Sequence, residues 1–208
     1  LLKNYKNAKR KSSSNLDKYV EGVIQNCIKG TTENYEVMKF RSGIQNAIFQ
    51  SLNEVRYYIE RNGDIKNCNQ KLLKDAISNI IKLICPLTPH ISEEFWTRIG
   101  GKGMISTSGW PIFDEKRIDK NILELENIFK KTQEDMNQVL KLAGNKKNAY
   151  LYLVTDKEFN YFKESIVYLK KRFNFKKLEI CKVSDKSKYD PQNKSSRSKY
   201  GKPAIYLE

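Results

Sequence analysis

The stretch "PLTPHISEEFW", Pro86 to Trp96, decides how the rest of the chain is read. It holds the chain's one histidine, His90, beside Glu93 and Glu94 and just after Cys85. A catalytic reading requires a base, a nucleophile and an orienting group within reach of one another. His90 has no second histidine to work with. Zinc held by Cys85 and His90 would need two further ligands at workable spacing, and this reading is weaker than the catalytic one. A junction between two helices explains the same residues without chemistry. Pro86 ends one helix, Thr88 can cap the next, and Pro89 suits its first position. Glu93 and Glu94 then fall in the opening turns, where a helix dipole favours negative charge. Phe95, Trp96 and Ile99 form the buried side, and Gly100 stops the helix. No catalytic and no metal-binding residue is assigned, and His90 is read as structural.

Upstream, apolar residues recur at helical spacing. Tyr19, Val20, Val23, Ile24, Cys27 and Ile28 mark a first helix that Gly30 can end. A second, long helix is expected over about 33–62, with the stripe Val37, Phe40, Ile44, Ala47, Ile48, Leu52, Val55 and Ile59. Leu72, Leu73, Ala76, Ile77, Ile80, Ile81 and Ile84 mark the third. Downstream, "GGKGMISTSGWPIFDEK" reads as a loop. A helix over about 119–143 follows, on Ile122, Leu125, Phe129, Met136, Val139, Leu140 and Ala143. The period then changes. "AYLYLVT" (149–155) and "KLEICKV" (177–183) have strand character. They flank the amphipathic "DKEFNYFKESIVYLKKRF" (156–173). The fold class expected is α+β, mainly α: an antiparallel helical bundle over 15–145, then a small α/β module over 146–208. Residues 1–14 read as a basic linker.

The net charge is +15 over 208 residues, and its distribution says more than its sum. Residues 1–14 carry five basic groups and no acid; residues 15–145 carry 18 basic and 17 acidic groups; residues 146–208 carry 16 basic and 7 acidic. Basic ends around a neutral middle point to a polyanion, most often nucleic acid. A Lys- and Asn-rich genome would also raise the charge, but it does not explain why the excess avoids the middle. Four widely spaced cysteines without a C-x-x-C argue against a disulfide framework and suit a reducing, cytoplasmic setting. No apolar run is long enough for a membrane span, and no membrane partner is expected.

Four stretches carry a resemblance. "ICPLTPHISEEFWTRIG" (84–100) resembles the Pro-x-x-Pro-His-x-x-Glu-Glu-x-Trp junction in the anticodon-binding-type bundle of class I aminoacyl-tRNA synthetases. "MKFRSGIQNAIFQSLNEVRYYIERNG" (38–63) is similar to a bundle helix of archaeal and eukaryotic-type leucyl-tRNA synthetases. "SGWPIFDE" (108–115) resembles the Trp-Pro loop after that bundle. "YDPQNKSSRSKYGKPAIYLE" (189–208) resembles the archaeal family's C-terminal sequence. Together these imply a C-terminal fragment of that family. The catalytic signatures His-Ile-Gly-His and Lys-Met-Ser-Lys-Ser are absent; "KRKSSS" (9–14) is not the latter. The resemblance therefore implies that the catalytic and editing domains lie outside this sequence. ATP and Mg²⁺ would belong to the full-length enzyme, and no cofactor is expected here. The family also has more helix between its first C-terminal strand and its last helix, so this module is expected to be shortened.

The implied partner is tRNA(Leu), bound by a monomer. The bundle would hold the tRNA body and the C-terminal module its long variable arm. Arg41, Arg56 and Arg61 are the bundle candidates for phosphate contact; a solvated helix face, or ion pairs with Glu54 and Glu60, would explain them equally. Tyr57 and Tyr58 read as packing before base stacking. Lys146, Lys147, Lys170, Lys171, Lys194, Arg197, Lys199 and Lys202 are the module's phosphate candidates. Backbone groups at Leu207 and Glu208 would read unpaired bases, as the family's tail implies. Within residues 190–208 the basic linker is expected to stay mobile without RNA, with "PAIYLE" docked beside the last strand. A stand-alone RNA- or DNA-binding module, or a protein-interaction bundle with incidental charge, would fit the same charge pattern.

Overall fold

A computed structural model describes residues 4–144 and 146–208. It is mainly helical with one three-stranded sheet, and it divides into two compact units, Leu1–Lys120 and Asn121–Glu208.

The first unit holds helices α1 (Asn15–Glu36), α2 (Phe40–Ile44), α3 (Ser51–Arg61), α4 (Gln70–Ile84) and α5 (Pro89–Arg98). A capping box starts α1: Ser14 accepts from Asp17 N–H, and Asp17 accepts from Ser14 N–H. Contrary to the sequence reading, α1 runs through Gly30 to Glu36. Gly30 is a packing residue: a Cβ there would lie 2.6 Å from Asn46 Nδ2, so its bare backbone lets Asn46 approach. The break falls at Val37–Lys39, where Met38 takes φ +59°, rare for a residue with a Cβ. From Phe40 to Arg61 the chain is helical throughout, but Gln45–Gln50 is wound as a π-helix between α2 and α3. The break and the wider turn disrupt the expected stripe. Val37 and Phe40 lie at the surface, while Ala47, Val55 and Tyr58 are buried.

Residues 4–14 are not a linker. Tyr5 and Ala8 are buried, and Tyr5 Oη donates to the Ile99 carbonyl at 3.1 Å. Arg10 donates to both oxygens of Asp17 and to Tyr58 Oη. Its backbone bonds to Cys68 and Gln70. Three apolar or pairing side chains thus fix a segment whose lysines suggested mobility.

Residues 85–88 join α4 to α5, as expected, but with different bonding. Thr88 stands at the N-cap of α5 with Pro89 at its first position, but its hydroxyl makes no cap bond; it donates back to the Ile84 carbonyl at 3.1 Å. Glu93 accepts from Ile105 N–H at 2.9 Å, and Glu94 pairs with Arg98. His90 is exposed, Phe95 and Trp96 are half-buried, and Ser92 is buried. The loop beyond runs back along α1. Trp110 Nε1 donates to Thr32 Oγ1 at 2.8 Å, Asp114 N–H to buried Gln25 at 2.8 Å, and Arg117 to Glu21 at 2.7 Å.

The second unit combines α6 (Lys120–Ala143), β1 (Asn148–Leu153), α7 (Asp156–Glu164), α8 (Ile166–Arg172), β2 (Lys177–Lys182) and β3 (Ala204–Leu207). The sequence reading grouped α6 with the preceding helices. Its side chains meet α7 and α8: Phe129 lies 4.9 Å from Phe162 between ring centroids, and buried Glu126 accepts from Tyr161 Oη. The single helix expected over 156–173 breaks at Ser165. The strand order is β2-β1-β3, with β1–β2 parallel and β1–β3 antiparallel. A parallel pair needs a crossover, which α7 and α8 supply. "PAIYLE" therefore docks against the first strand, not the last, with Ala149 opposite Leu207.

Candidate nucleic-acid interface

The basic tail is built into this unit rather than loose beside it. Asp190 accepts from Lys194 N–H at 2.7 Å and Ser195 N–H at 2.9 Å, which starts a short turn at Lys194–Arg197. Burial works against the Asp190 charge, but these bonds outweigh it and hold the carboxyl below its ordinary pKa. Tyr152 Oη donates to the Tyr189 carbonyl, and Ser198 Oγ donates to the Tyr152 carbonyl at 2.6 Å. Lys199 and Lys202 close a tight hairpin whose Gly201 N–H donates to Glu158 at 2.9 Å. Glu158 is fully buried and also forms the capping box of α7 with Thr155.

The expected phosphate contacts fall at opposite ends of β1. Lys194, Arg197, Lys199 and Lys202 lie towards its C-terminal end, where Ser198 meets Tyr152. Lys146 and Lys147 precede its first residue, beside Leu207 on β3 and Glu208 just after it. Lys170 and Lys171, exposed at the end of α8, approach the same end through the turn into β2. A six-residue strand spans roughly 20 Å, which separates the two sets.

The sheet register qualifies the reading of the final residues. Asn148 and Glu208 exchange both of their N–H···O bonds, each at 2.9 Å, and Lys147 N–H also donates to the Glu208 carbonyl. The backbone of Glu208 is therefore occupied. In an antiparallel ladder the next pair is non-bonded, so the N–H and C=O of Leu207 point away from β1 at the sheet's free edge. Of the two residues, Leu207 offers a backbone for recognition.

Sequence reasoning missed what gathers around this end. Lys176 and Lys177 N–H both bond to the Lys147 carbonyl. The Lys177 ammonium lies 5.3 Å from the Tyr150 ring centroid and 2.8 Å from Glu179; Glu179 first, then Tyr150, raises its pKa. Tyr150 faces Tyr206 across β1–β3, and Tyr189 packs on both. The alternating "YLYL" of β1 was the available signal: it puts Tyr150 and Tyr152 on the face opposite Leu151 and Leu153.

In the first unit, Arg41 and Arg56 are exposed. Arg61 is half-buried and donates to Tyr57 Oη at 2.8 Å, stacked 5.4 Å from that ring. Tyr58 is fully buried and faces Asp17, not solvent. Arg56 also borders an apolar groove of about 930 Å³ lined by Ile48, Leu52, Ile80, Ile84 and Phe95. Among the described residues, no group of three or more His, Cys, Asp or Glu side chains could hold a metal ion, and no helix is long and apolar enough to cross a membrane.

Residues 17–155 match the family described as the anticodon-binding domain of tRNA ligase, and the chain belongs to that family. Within it, the chain is similar to leucine–tRNA ligases of archaea. It is 31% identical to that of Pyrococcus furiosus over 144 residues, covering 68% of this chain and 15% of the relative. It is 28% identical to that of Pyrococcus horikoshii over 177 residues, covering 84% of this chain and 18% of the relative. The chain thus spans less than a fifth of the relatives it matches. A solved LeuRS–tRNA–LeuAMS complex from Agrobacterium radiobacter aligns over 86% of this chain and 23% of its own, at 12% identity and a TM-score of 0.44, too distant to add to the fold.

Proposed function

We propose that this chain is the tRNA-gripping C-terminal region of a leucine–tRNA ligase, which joins leucine to tRNA(Leu) with ATP and Mg²⁺ bound elsewhere in the enzyme. The observation that carries the reading is the similarity to leucine–tRNA ligases across both units, up to 84% of the chain. The +9 balance of residues 146–208 supports it. In this reading the full-length enzyme is a cytoplasmic monomer.

The two units divide the work by charge. Arg41 and Arg56 give the near-neutral bundle a few phosphate contacts on a rigid scaffold. Arg61, already laid on Tyr57, has less freedom to move to a phosphate. In the second unit the two basic sets at either end of β1 track the backbone of the long variable arm. Such contacts position RNA without reading its sequence. Specificity falls to unpaired bases, which a protein can reach on their hydrogen-bonding edges. We assign this role to Leu207 N–H and C=O, at the free sheet edge.

The test is binding of leucine tRNA, and of the same tRNA with a shortened variable arm, across a salt series. The reading expects about tenfold weaker binding of the shortened tRNA, equivalent to one or two hydrogen bonds. Equal affinity would remove the variable arm from the account. Equal binding of a DNA duplex would favour a general polyanion-binding module.

A further inference from the structure

We propose that Tyr189 and Tyr206 form a stacking platform for an unpaired RNA base, with Lys177 as its cation. This rests on the RNA-binding reading and names a contact within it that charge alone does not supply.

Tyr150, Tyr189 and Tyr206 stand far apart in the sequence and meet on one sheet face. Ring centroids are 4.9 Å apart for Tyr150–Tyr189, 5.8 Å for Tyr150–Tyr206 and 6.3 Å for Tyr189–Tyr206. Tyr150 is 4% exposed and forms the floor, while Tyr189 is 44% exposed. The position of Tyr189 is fixed on both sides. The Tyr189 carbonyl accepts from buried Tyr152, and the next residue, Asp190, anchors the turn at Lys194–Arg197. The chain at Tyr189 is thus fixed on both sides before any ligand arrives, which lowers the ordering cost of stacking.

The surroundings select a base over an apolar protein side chain. Lys177, paired with Glu179 at 2.8 Å, holds its ammonium over the Tyr150 ring, and the excess of charge comes from Lys146, Lys147 and Lys176 at the same sheet end. An aromatic face beside a basic track is the arrangement by which single-stranded nucleic acid is held, and stacking tolerates any base because each has a π-face. The outward backbone of Leu207 is next to Tyr206 in the chain, so a base stacked on the platform would bring its neighbour towards that edge.

The experiment uses the whole chain and a leucine tRNA transcript. Tyr189→Leu keeps apolar volume and removes the ring; Tyr189→Phe keeps the ring and removes the hydroxyl. Tyr189→Leu should bind roughly tenfold more weakly, and Tyr189→Phe should stay within about twofold of the parent. The slope of affinity against salt should not change, since stacking releases no counterions. Independently, 2-aminopurine is placed in turn at the unpaired positions of the transcript. At least one should be quenched by the parent protein, and less so by Tyr206→Leu. Parent binding that Tyr189→Leu matches overturns the platform alone, as does the absence of quenching at every position. Failure of the parent to bind leucine tRNA overturns the RNA reading and the platform together.

Discussion

Replacing Tyr58 with Phe removes one oxygen from the best-connected point of the first unit. Tyr58 is fully buried on α3. Its hydroxyl donates to Asp17 Oδ1 at 2.6 Å and accepts from Asn69 N–H at 2.8 Å and Arg10 Nη2 at 2.9 Å. It therefore joins α1, α3, the cap of α4 and the N-terminal segment. Burial foremost, with the bond to Asp17, raises its pKa, so it stays protonated as a donor. Without it, Asn69 N–H loses its acceptor, and Asp17 keeps Arg10, Ser14 N–H and Asn69 Nδ2 but loses its shortest neutral donor. A hydrogen bond to a charged group contributes about 1.5–3 kcal/mol, and an orphaned buried donor costs about 1–3 kcal/mol. The two overlap, since the site relaxes, so Tyr58→Phe should cost about 2–4 kcal/mol. Urea unfolding followed by far-ultraviolet circular dichroism measures this. Tyr57→Phe, one residue away and half-buried, should cost under about 1 kcal/mol. A Tyr58→Phe loss equal to that of Tyr57→Phe would refute the claim that this network fastens residues 4–14 to the bundle.

Further outcomes can be checked separately. Gly43→Ala would put a Cβ 2.1 Å from the Tyr35 ring and should cost about 1–3 kcal/mol by thermal melting, whereas exposed His90→Gln should change stability by under about 0.5 kcal/mol. Burial lifts the thiols of Cys27 and Cys68 from 9.0 to about 12; the folded chain then keeps protons that the unfolded chain releases, so stability is full below pH 9 and falls as pH rises towards 12, by up to about 1.4 kcal/mol per pH unit for each thiol, readable as a falling urea midpoint. Exchanging Lys199 and Lys202 for Ala should weaken binding to all tRNAs alike and flatten the salt slope by up to about 1.8. The purified chain should show no leucine-dependent pyrophosphate exchange, and any such exchange would mean that a catalytic site was missed.

The helices were legible because apolar side chains recur at their period, and Ile77, Ile80 and Ile81 are buried as their spacing requires. Their ends were less so. Gly30 and Gly100 are the same letter, yet one admits Asn46 against a helix and the other ends one at φ +78°. Nothing local marks Met38 as the residue that turns the chain. The tail's order was also hidden. Its polar residues suggest a solvated linker, but the Tyr189 carbonyl, Ser198 and Gly201 bond to Tyr152 and Glu158, partners that only the fold brings near. The site shared this limit. The charge asymmetry and most of its lysines could be read directly. The meeting of Lys147 with Glu208, and of Tyr150 with Tyr189 and Tyr206, depends on β3 choosing β1, a pairing across about fifty residues that no local pattern encodes.

The central claim is that the second unit holds the variable arm. Cross-linking from a photoreactive group at the tip of that arm, in leucine tRNA bound to the whole chain, tests it most directly. The account predicts adducts on peptides containing Lys146, Lys147, Tyr206 and Leu207, and few on α2 or α3. Adducts confined to peptides of the first unit, around Arg41 and Arg56, would contradict it.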